Sequence, residues 1–454
     1  MNKFKIILII IVLAILPVGC LVGPKYAKPK DQNAADFNNG PANVDTLATV
    51  VNMKWFDLFN DDVLKDLITK GLANNYDMKI ALARIEKSRA ELGYSKADLL
   101  PAIGYSGTVN SNKKSFVPSN VSANLSWELD FWGKVRHENR AVQDELIASD
   151  EGRKVILSNL VSDIAVAYFQ LRDYDNRLLI AQNTLKSRQD GYDIINKRFL
   201  AGYVSEVDKV QIEQQVAIAE ATIPAVKRQI TYLENTISIL IGQTPALIPR
   251  GKTNMELEVA NAIPVSIPSI LLRNRPDVNQ AERLYMAANE RIGVAQAMRF
   301  PSFNIAALAG FANSDLNHLF DGSSYLQNAS GSITGPIFNF GKNKRRVDIY
   351  RQIAEEAKLT YQKTCIVAVA EVEQSLQDVR TYKEEYAARN RQVIAARQNL
   401  KLSEARYDNG YISYLEVLEI QRSLFDAELS LSELTQNQLS STIQLYRALG
   451  GGWN

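Results

Sequence analysis

The sequence predicts a mainly α-helical chain with a transmembrane β part, written as two tandem copies of one structural unit. Three observations predict it: stretches that recur 200 to 208 residues apart, apolar seams at heptad spacing, and short segments in which apolar and polar residues alternate.

The repeat comes first because it sets the organisation. Asn75-Tyr76-Asp77 runs to Pro101 through Ala81, Gly93 and Ala97, and Arg275-Pro276-Asp277 runs to Pro301 through Ala281, Gly293 and Ala297. The offset there is 200 residues. Further on, Leu129–Lys134 (LDFWGK) matches Ile337–Lys342 (IFNFGK) at an offset of 208, which still holds at Gly242 and Gly450. The second copy has thus gained eight residues between Pro301 and Gly341, which we assign to one tolerant surface loop. Each copy reads as a helical segment (61–98, then 275–298), two strands, a very long helix, a tight turn and a shorter helix. The expected organisation is an export signal over 1–19, an anchored segment 20–60, a first repeat 61–242, a linker 243–268 rich in proline, a second repeat 269–450 and a tail 451–454.

Residues 121–131 carry the clearest strand signal. Val121, Ala123, Leu125, Trp127, Leu129 and Phe131 alternate with Ser122, Asn124, Ser126, Glu128 and Asp130. Looser alternation marks Ile103, Tyr105 and Val109, then Phe303, Ile305, Ala307, Ala309 and Phe311, then Ile333 and Ile337. Alternation suits a barrel strand between lipid and water, but taken alone it favours a half-buried strand on a soluble core.

The helices weigh on that choice. Leu157, Leu160, Ile164, Ala167, Leu171, Tyr174, Leu178, Ala181 and Leu185 step by three and four, and Ile212 to Leu240 keeps the same rhythm. Cys365 occupies the position of Leu157 and is expected as a small buried seam residue, while Pro224 should bend its helix. A helix over 134–199 reaches roughly 100 Å at 1.5 Å per residue, more than a compact domain holds. Four strands cannot close a barrel, and open edges do not survive in lipid. Transmembrane strands therefore require several chains around one barrel, with their helices forming a common tube.

The N-terminus reads as a signal. Lys3 and Lys5 precede the apolar run Ile6–Leu16, and Gly19-Cys20 supplies a cleavage point. Leu16-Pro17-Val18-Gly19-Cys20 resembles a bacterial lipobox, with Pro17 where leucine is usual, so Cys20 is the expected lipidation site. The 52 basic residues then lose Lys3 and Lys5 and balance the 50 acidic ones, which gives no draw to nucleic acid. Cys365 alone has no partner for an intramolecular disulfide, and His137 and His318 have no metal spacing. No nucleotide loop or nucleophile elbow is present, so neither an enzyme nor a cofactor is expected.

Taken in order, several stretches carry a resemblance: Gly23-Pro24-Lys25-Tyr26 after Cys20, Trp55 with Phe59, Leu271–Asp277, Ile292–Ala295, Phe300-Pro301-Ser302, Gln421–Phe425 and Ala448–Trp453. They resemble the TolC-like outer-membrane efflux proteins, specifically the lipoprotein branch called NodT- or OprM-like. The resemblance implies a homotrimer with a shared twelve-stranded β-barrel in outer-membrane lipid and a periplasmic α-barrel. It also implies a periplasmic adaptor protein and an inner-membrane pump as partners, with passive conduction through the duct. The rival reading is a non-conducting coiled-coil lipoprotein, a tether or an adaptor.

Two turns and the start of the last helix hold the candidate site residues. Gly202 and Gly410 can end the long helices with positive φ, and Ser205 and Ser413 can cap the next ones. That explains both as plain helical hairpins. The resemblance makes them periplasmic tips where Arg198, Gly202, Ser205, Arg406, Gly410 and Ser413 meet the adaptor. It also makes Leu415, Glu416 and Glu419 a gate of apolar and acidic rings. Glu416 equally completes a capping box with Ser413; for Glu419 the gate is preferred to a plain solvated face.

Overall fold

A computed structural model describes residues 21–29, 60–110, 118–257 and 275–451. The export signal, Cys20, Trp55, Phe59, Leu271–Asn274, Trp453 and the linker beyond residue 257 lie outside the described residues.

The elements in chain order are α1 (Asp62–Asn74), α2 (Tyr76–Ala97), β1 (Ala102–Thr108), β2 (Ser119–Leu129), α3 (Lys134–Leu200) and α4 (Glu206–Leu240). Then follow α5 (Pro276–Ala297), β3 (Ser302–Asn313), β4 (Tyr325–Thr334), α6 (Lys342–Asp408) and α7 (Tyr414–Ala448). The duplication survives in the lengths: α2 and α5 have 22 residues each, α3 and α6 have 67, α4 and α7 have 35.

Four expectations need correction. The first helical segment is two helices, because Asn75 is extended and its side chain caps α2 by accepting from the Met78 amide at 3.0 Å. The same side chain donates to the Leu240 carbonyl at 2.9 Å, so the break also covers an orphan group at the end of α4. Val109 and Ile337 lie outside β1 and β4; Gly335 and Pro336 stop the latter, since proline has no amide for a ladder. The eight extra residues are not confined to one loop: β3 has 12 residues against 7 in β1, and seven residues separate β4 from α6 where four separate β2 from α3. Cys365 is only half-buried. Pro224 stands inside α4, and the helix is uninterrupted from Glu206 to Leu240.

The described residues fall into two compact units, and each draws on both repeats. The sheet unit takes Leu82–Gly152 and Asp277–Thr364 with the N-terminal stretch. The helical unit takes the described parts of Asn33–Ala81, Arg153–Pro276 and Cys365–Asn454. In the helical unit Leu64, Leu67 and Ile68 of α1 pack with Ile164, Tyr168 and Leu171 of α3, Leu233 and Ile237 of α4, and Leu439 and Leu445 of α7. Each such side chain contributes about 1.5–3 kcal/mol by leaving water. Arg275, buried before α5, donates to the Ala448 carbonyl at 2.9 Å and pairs with Glu371 at 2.6 Å, which satisfies a carbonyl at the end of α7.

Candidate functional site: a two-faced sheet and two hairpin tips

The four strands form one antiparallel sheet in the order β1-β2-β3-β4, so β1 and β4 are its edges. The register decides its chemistry. Val121 pairs with Phe311, Ala123 with Ala309, Leu125 with Ala307, Trp127 with Ile305 and Leu129 with Phe303. Side chains alternate across a strand, so these residues share one face with Ile103 and Tyr105 of β1 and with Ala329 and Ile333 of β4. Ser122, Asn124, Ser126 and Glu128 share the opposite face with Asn304, Ser330 and Ser332. There Asn124 donates to Ser106 Oγ at 2.9 Å, and Ser106 and Ser122 lie 3.2 Å apart. Gln327 on the apolar face, and Leu308 and Leu326 on the polar face, are exceptions.

Aromatic rings bound the apolar face at both ends. Phe311 meets Phe320 and Tyr325, each at 5.7 Å, and Phe131 meets Phe303 at 4.7 Å. From Phe303 to Phe311 is eight residues of strand, roughly 26 Å at about 3.3 Å per residue. That matches the apolar band of about 25 Å between aromatic girdles of an outer-membrane barrel.

The N-terminal stretch is fixed beside the start of α3. The Val22 amide donates to the Trp132 carbonyl at 3.3 Å, and Trp132 stacks on Phe300 at 4.6 Å. Asn289 donates to the Pro24 carbonyl at 3.3 Å, and Tyr26 donates to Glu282 at 2.8 Å. Burial, and then the Glu282 carboxylate, push the Tyr26 phenol well above its usual range, so it stays a donor. His137 is buried with Nδ1 2.6 Å from Glu290, and a Cβ on Gly293 would collide with its ring.

The helical unit carries both tips. Gly202 has φ +79° and Gly410 φ +75°, as the turns require. The Tyr203 amide donates to the Arg198 carbonyl and the Tyr411 amide to the Arg406 carbonyl, each at 2.9 Å, which closes the long helices. At the first tip the capping box is complete: Ser205 Oγ accepts from the Asp208 amide at 3.3 Å, and Asp208 accepts from the Ser205 amide at 3.0 Å. At the second, Ser413 Oγ accepts from the Glu416 amide at 3.4 Å, and among the described residues the reciprocal backbone bond is found only at the first tip.

The tips also differ in their arginines. Arg198 sits 4.9 Å from the Tyr407 ring, a cation–π contact that ties the first repeat to the second, whereas Arg406 is exposed. Beside that contact, Tyr407 and Tyr414 pack at 5.0 Å, and Tyr414 fills the space that a Cβ on Gly191 would need. Burial pushes the Tyr414 phenol up to about 12. Leu415, Glu416 and Glu419 are all exposed. Glu419 pairs with Arg422 at 2.7 Å, so its charge is partly met.

The sequence reading missed two features between the repeats. Arg188, 1% exposed, donates to the Gln215 carbonyl at 2.8 Å and lies 5.3 Å from the Phe425 ring. Buried Asp173 accepts from Ser432 at 2.5 Å and pairs with Arg177 at 2.7 Å; burial raises its carboxyl above the usual range. An arginine inside a heptad seam was the one available signal.

The comparisons fit this arrangement. The profile of the outer membrane efflux protein family matches residues 67–243 and 267–451. The cation efflux system protein CusC of Escherichia coli O6:H1 is 30% identical over 465 residues, covering 100% of both chains. The probable efflux pump outer membrane protein TtgC of Pseudomonas putida is 31% identical, over 99% of this chain and 96% of that one. The open-state crystal structure of the MtrE outer membrane channel of Neisseria gonorrhoeae superposes with a TM-score of 0.86 at 26% identity, over 96% of this chain and 99% of that one. With a duplicated helical frame, a small two-faced sheet and a match along nearly all of its length, this chain belongs to the outer membrane efflux protein family.

Proposed function

We propose that the chain is the outer-membrane exit duct of a tripartite efflux system, passing what an inner-membrane pump and a periplasmic adaptor deliver. It is a transport channel and not an enzyme. The observation that carries this is the sheet: one face apolar between two aromatic ends, the other polar, with β1 and β4 as its two edges. In lipid both edges must pair, and four strands are too few to do so alone. Further copies of the chain supply the missing strands; three copies give twelve. The polar face then lines water and the apolar face meets lipid. A tether or adaptor has no use for such a sheet.

Three finer readings go with it. Cys20 is the lipidated first residue of the mature chain, which the position of its neighbours supports: Leu21 and Val22 lie at Gly133 and Trp132, just past the aromatic end of β2. The mass of the mature N-terminus tests this, and an unmodified Cys20 would sink it. Leu415, Glu416 and Glu419 form the gate, which their exposure at the start of α7 supports. Arg198, Gly202, Ser205, Arg406, Gly410 and Ser413 meet the adaptor, supported by the matching shape of the two turns.

Thiol labelling tests the duct itself. Ser126→Cys and Ser330→Cys in membrane-embedded protein should react with a charged, water-soluble reagent, whereas Leu125→Cys and Ala329→Cys should not. Equal reaction on both faces would return the chain to the tether reading.

A further inference from the structure

The two repeats enter their long helices with opposite charge. Residues 128–138 hold three acidic and two basic residues, whereas the equivalent residues 336–346 hold four basic and no acidic ones. In the first repeat Lys134 pairs with Glu128 at 2.7 Å and Arg136 with Asp130 at 3.0 Å. Pro336 and Phe338 stand where those carboxylates would be, and Arg345 and Arg346 replace His137 and Glu138. Lys342, Lys344 and Arg345 are exposed. Among the described residues the one ion pair of these four cations is a loose contact of Arg345 with Asp348 at 3.9 Å. Cations crowded at a helix start repel one another and oppose the helix dipole, so the fold alone does not account for them.

Their surroundings indicate what meets them. Arg346 lines a cleft of about 310 Å³ at the ends of β2 and β4, walled by Leu129, Phe131, Trp132 and Phe300. Glu128 and Asp130 also line it, each already held by its own cation. The Arg346 guanidinium donates to Met298 Sδ at 3.3 Å. Lys342 and Arg345 lie four and one residues before Arg346, on the same face of α6. Leu129 ends the apolar face of the sheet, so the cleft sits where hydrocarbon gives way to headgroups. Exposed Phe338 and Phe340 come just before the cations, and rings beside lysine and arginine are the composition of a membrane boundary. Building on the duct reading above, we propose that Lys342, Arg345 and Arg346 bind the phosphate headgroup of an anionic phospholipid of the periplasmic leaflet. Its glycerol end rests against Trp132 and Phe300 in the cleft. The second repeat thus carries a lipid site that the first has neutralised with Glu128, Asp130 and Glu138.

Native mass spectrometry of the full-length protein in detergent tests this, with palmitoyl-oleoyl phosphatidylglycerol, phosphatidylcholine or inorganic phosphate added at equal concentration. The protein should retain phosphatidylglycerol over phosphatidylcholine, less so as salt rises, and free phosphate should not displace it. Lys342→Gln, Arg345→Gln and Arg346→Gln combined should lower retention about tenfold or more. The charge-keeping set Lys342→Arg, Arg345→Lys and Arg346→Lys should restore most of it. Lys186→Gln, Lys227→Gln and Arg228→Gln, which remove three exposed cations elsewhere, should leave it unchanged. No lipid preference in the unmodified protein, displacement by free phosphate, or an equal loss in both glutamine sets overturns the site. Unchanged retention in a glutamine variant that still forms the oligomer overturns the site and leaves the duct standing. A protein that stays a single chain in membranes and detergent overturns both.

Discussion

The two hairpins of this chain share a backbone and differ in chemistry. Both long helices have 67 residues, both end on a glycine near φ +77°, and both short helices have 35 residues. Yet the first tip has a complete capping box, and its arginine is seated on a ring of the second repeat. The second tip has a half-formed cap, an exposed arginine and an acidic pair, Glu416 and Glu419, where the first has Asp208 and Gln211. The two copies share what the fold needs, glycines and helix lengths, and differ in the side chains around the tips. Side-chain contacts to the second repeat thus hold the arginine of the first hairpin, while the arginine of the second is exposed.

That contrast can be broken at several points. The largest effect is expected at Arg188. Arg188→Ala removes a charged hydrogen bond and a buried ring contact and should cost about 2–3 kcal/mol in chemical denaturation. Arg406→Ala should cost under about 0.5 kcal/mol in dissociated chains. Equal costs would mean that the repeats are locked alike. Next come the turns: Gly202→Ala and Gly410→Ala should each lose about 1–2 kcal/mol, because a Cβ is strained at positive φ. A clear inequality would show that the two backbones are less alike than they look.

The caps are smaller and should differ. Ser205→Ala should cost about 1–2 kcal/mol, with both halves of its box lost, and Ser413→Ala only about 0.5 kcal/mol. A larger loss at Ser413 would make Glu416 mainly a cap partner. Least of all in stability is Glu419→Gln, within about 0.5 kcal/mol, since its pair with Arg422 is exposed. Its expected effect lies in single-channel recordings: removal leaves Arg422 unmet and should shift selectivity away from cations. Unchanged selectivity would make Glu419 ordinary helix surface.

The frame was legible in the sequence because it follows from short-range rules. Heptad steps, period-two alternation and a glycine followed three residues later by serine placed the long helices, the tips and the first three strands within a residue or two, but not β4, read from Ile333 and Ile337 and formed by Tyr325–Thr334. Where local chemistry competed, the reading slipped: Asn75 breaks a helix that periodicity would run through, because its amide caps α2 and α4 together. The contacts that distinguish the hairpins were not legible. Arg188 with Phe425, Asp173 with Ser432 and Arg198 with Tyr407 join residues more than 200 positions apart, and periodicity says which face is buried but not against what. His137 in its glycine-lined slot was invisible for the same reason.

Everything rests on the sheet having lipid on one face and water on the other. Arginine placed on either side of one peptide bond measures this, by asking whether Leu125→Arg and Ser126→Arg still form the heat-labile oligomer on semi-native gels. Leu125→Arg should lose assembly, at a cost of about 2–4 kcal/mol near the bilayer midplane, while Ser126→Arg should assemble. Equal assembly of the two variants would contradict the account.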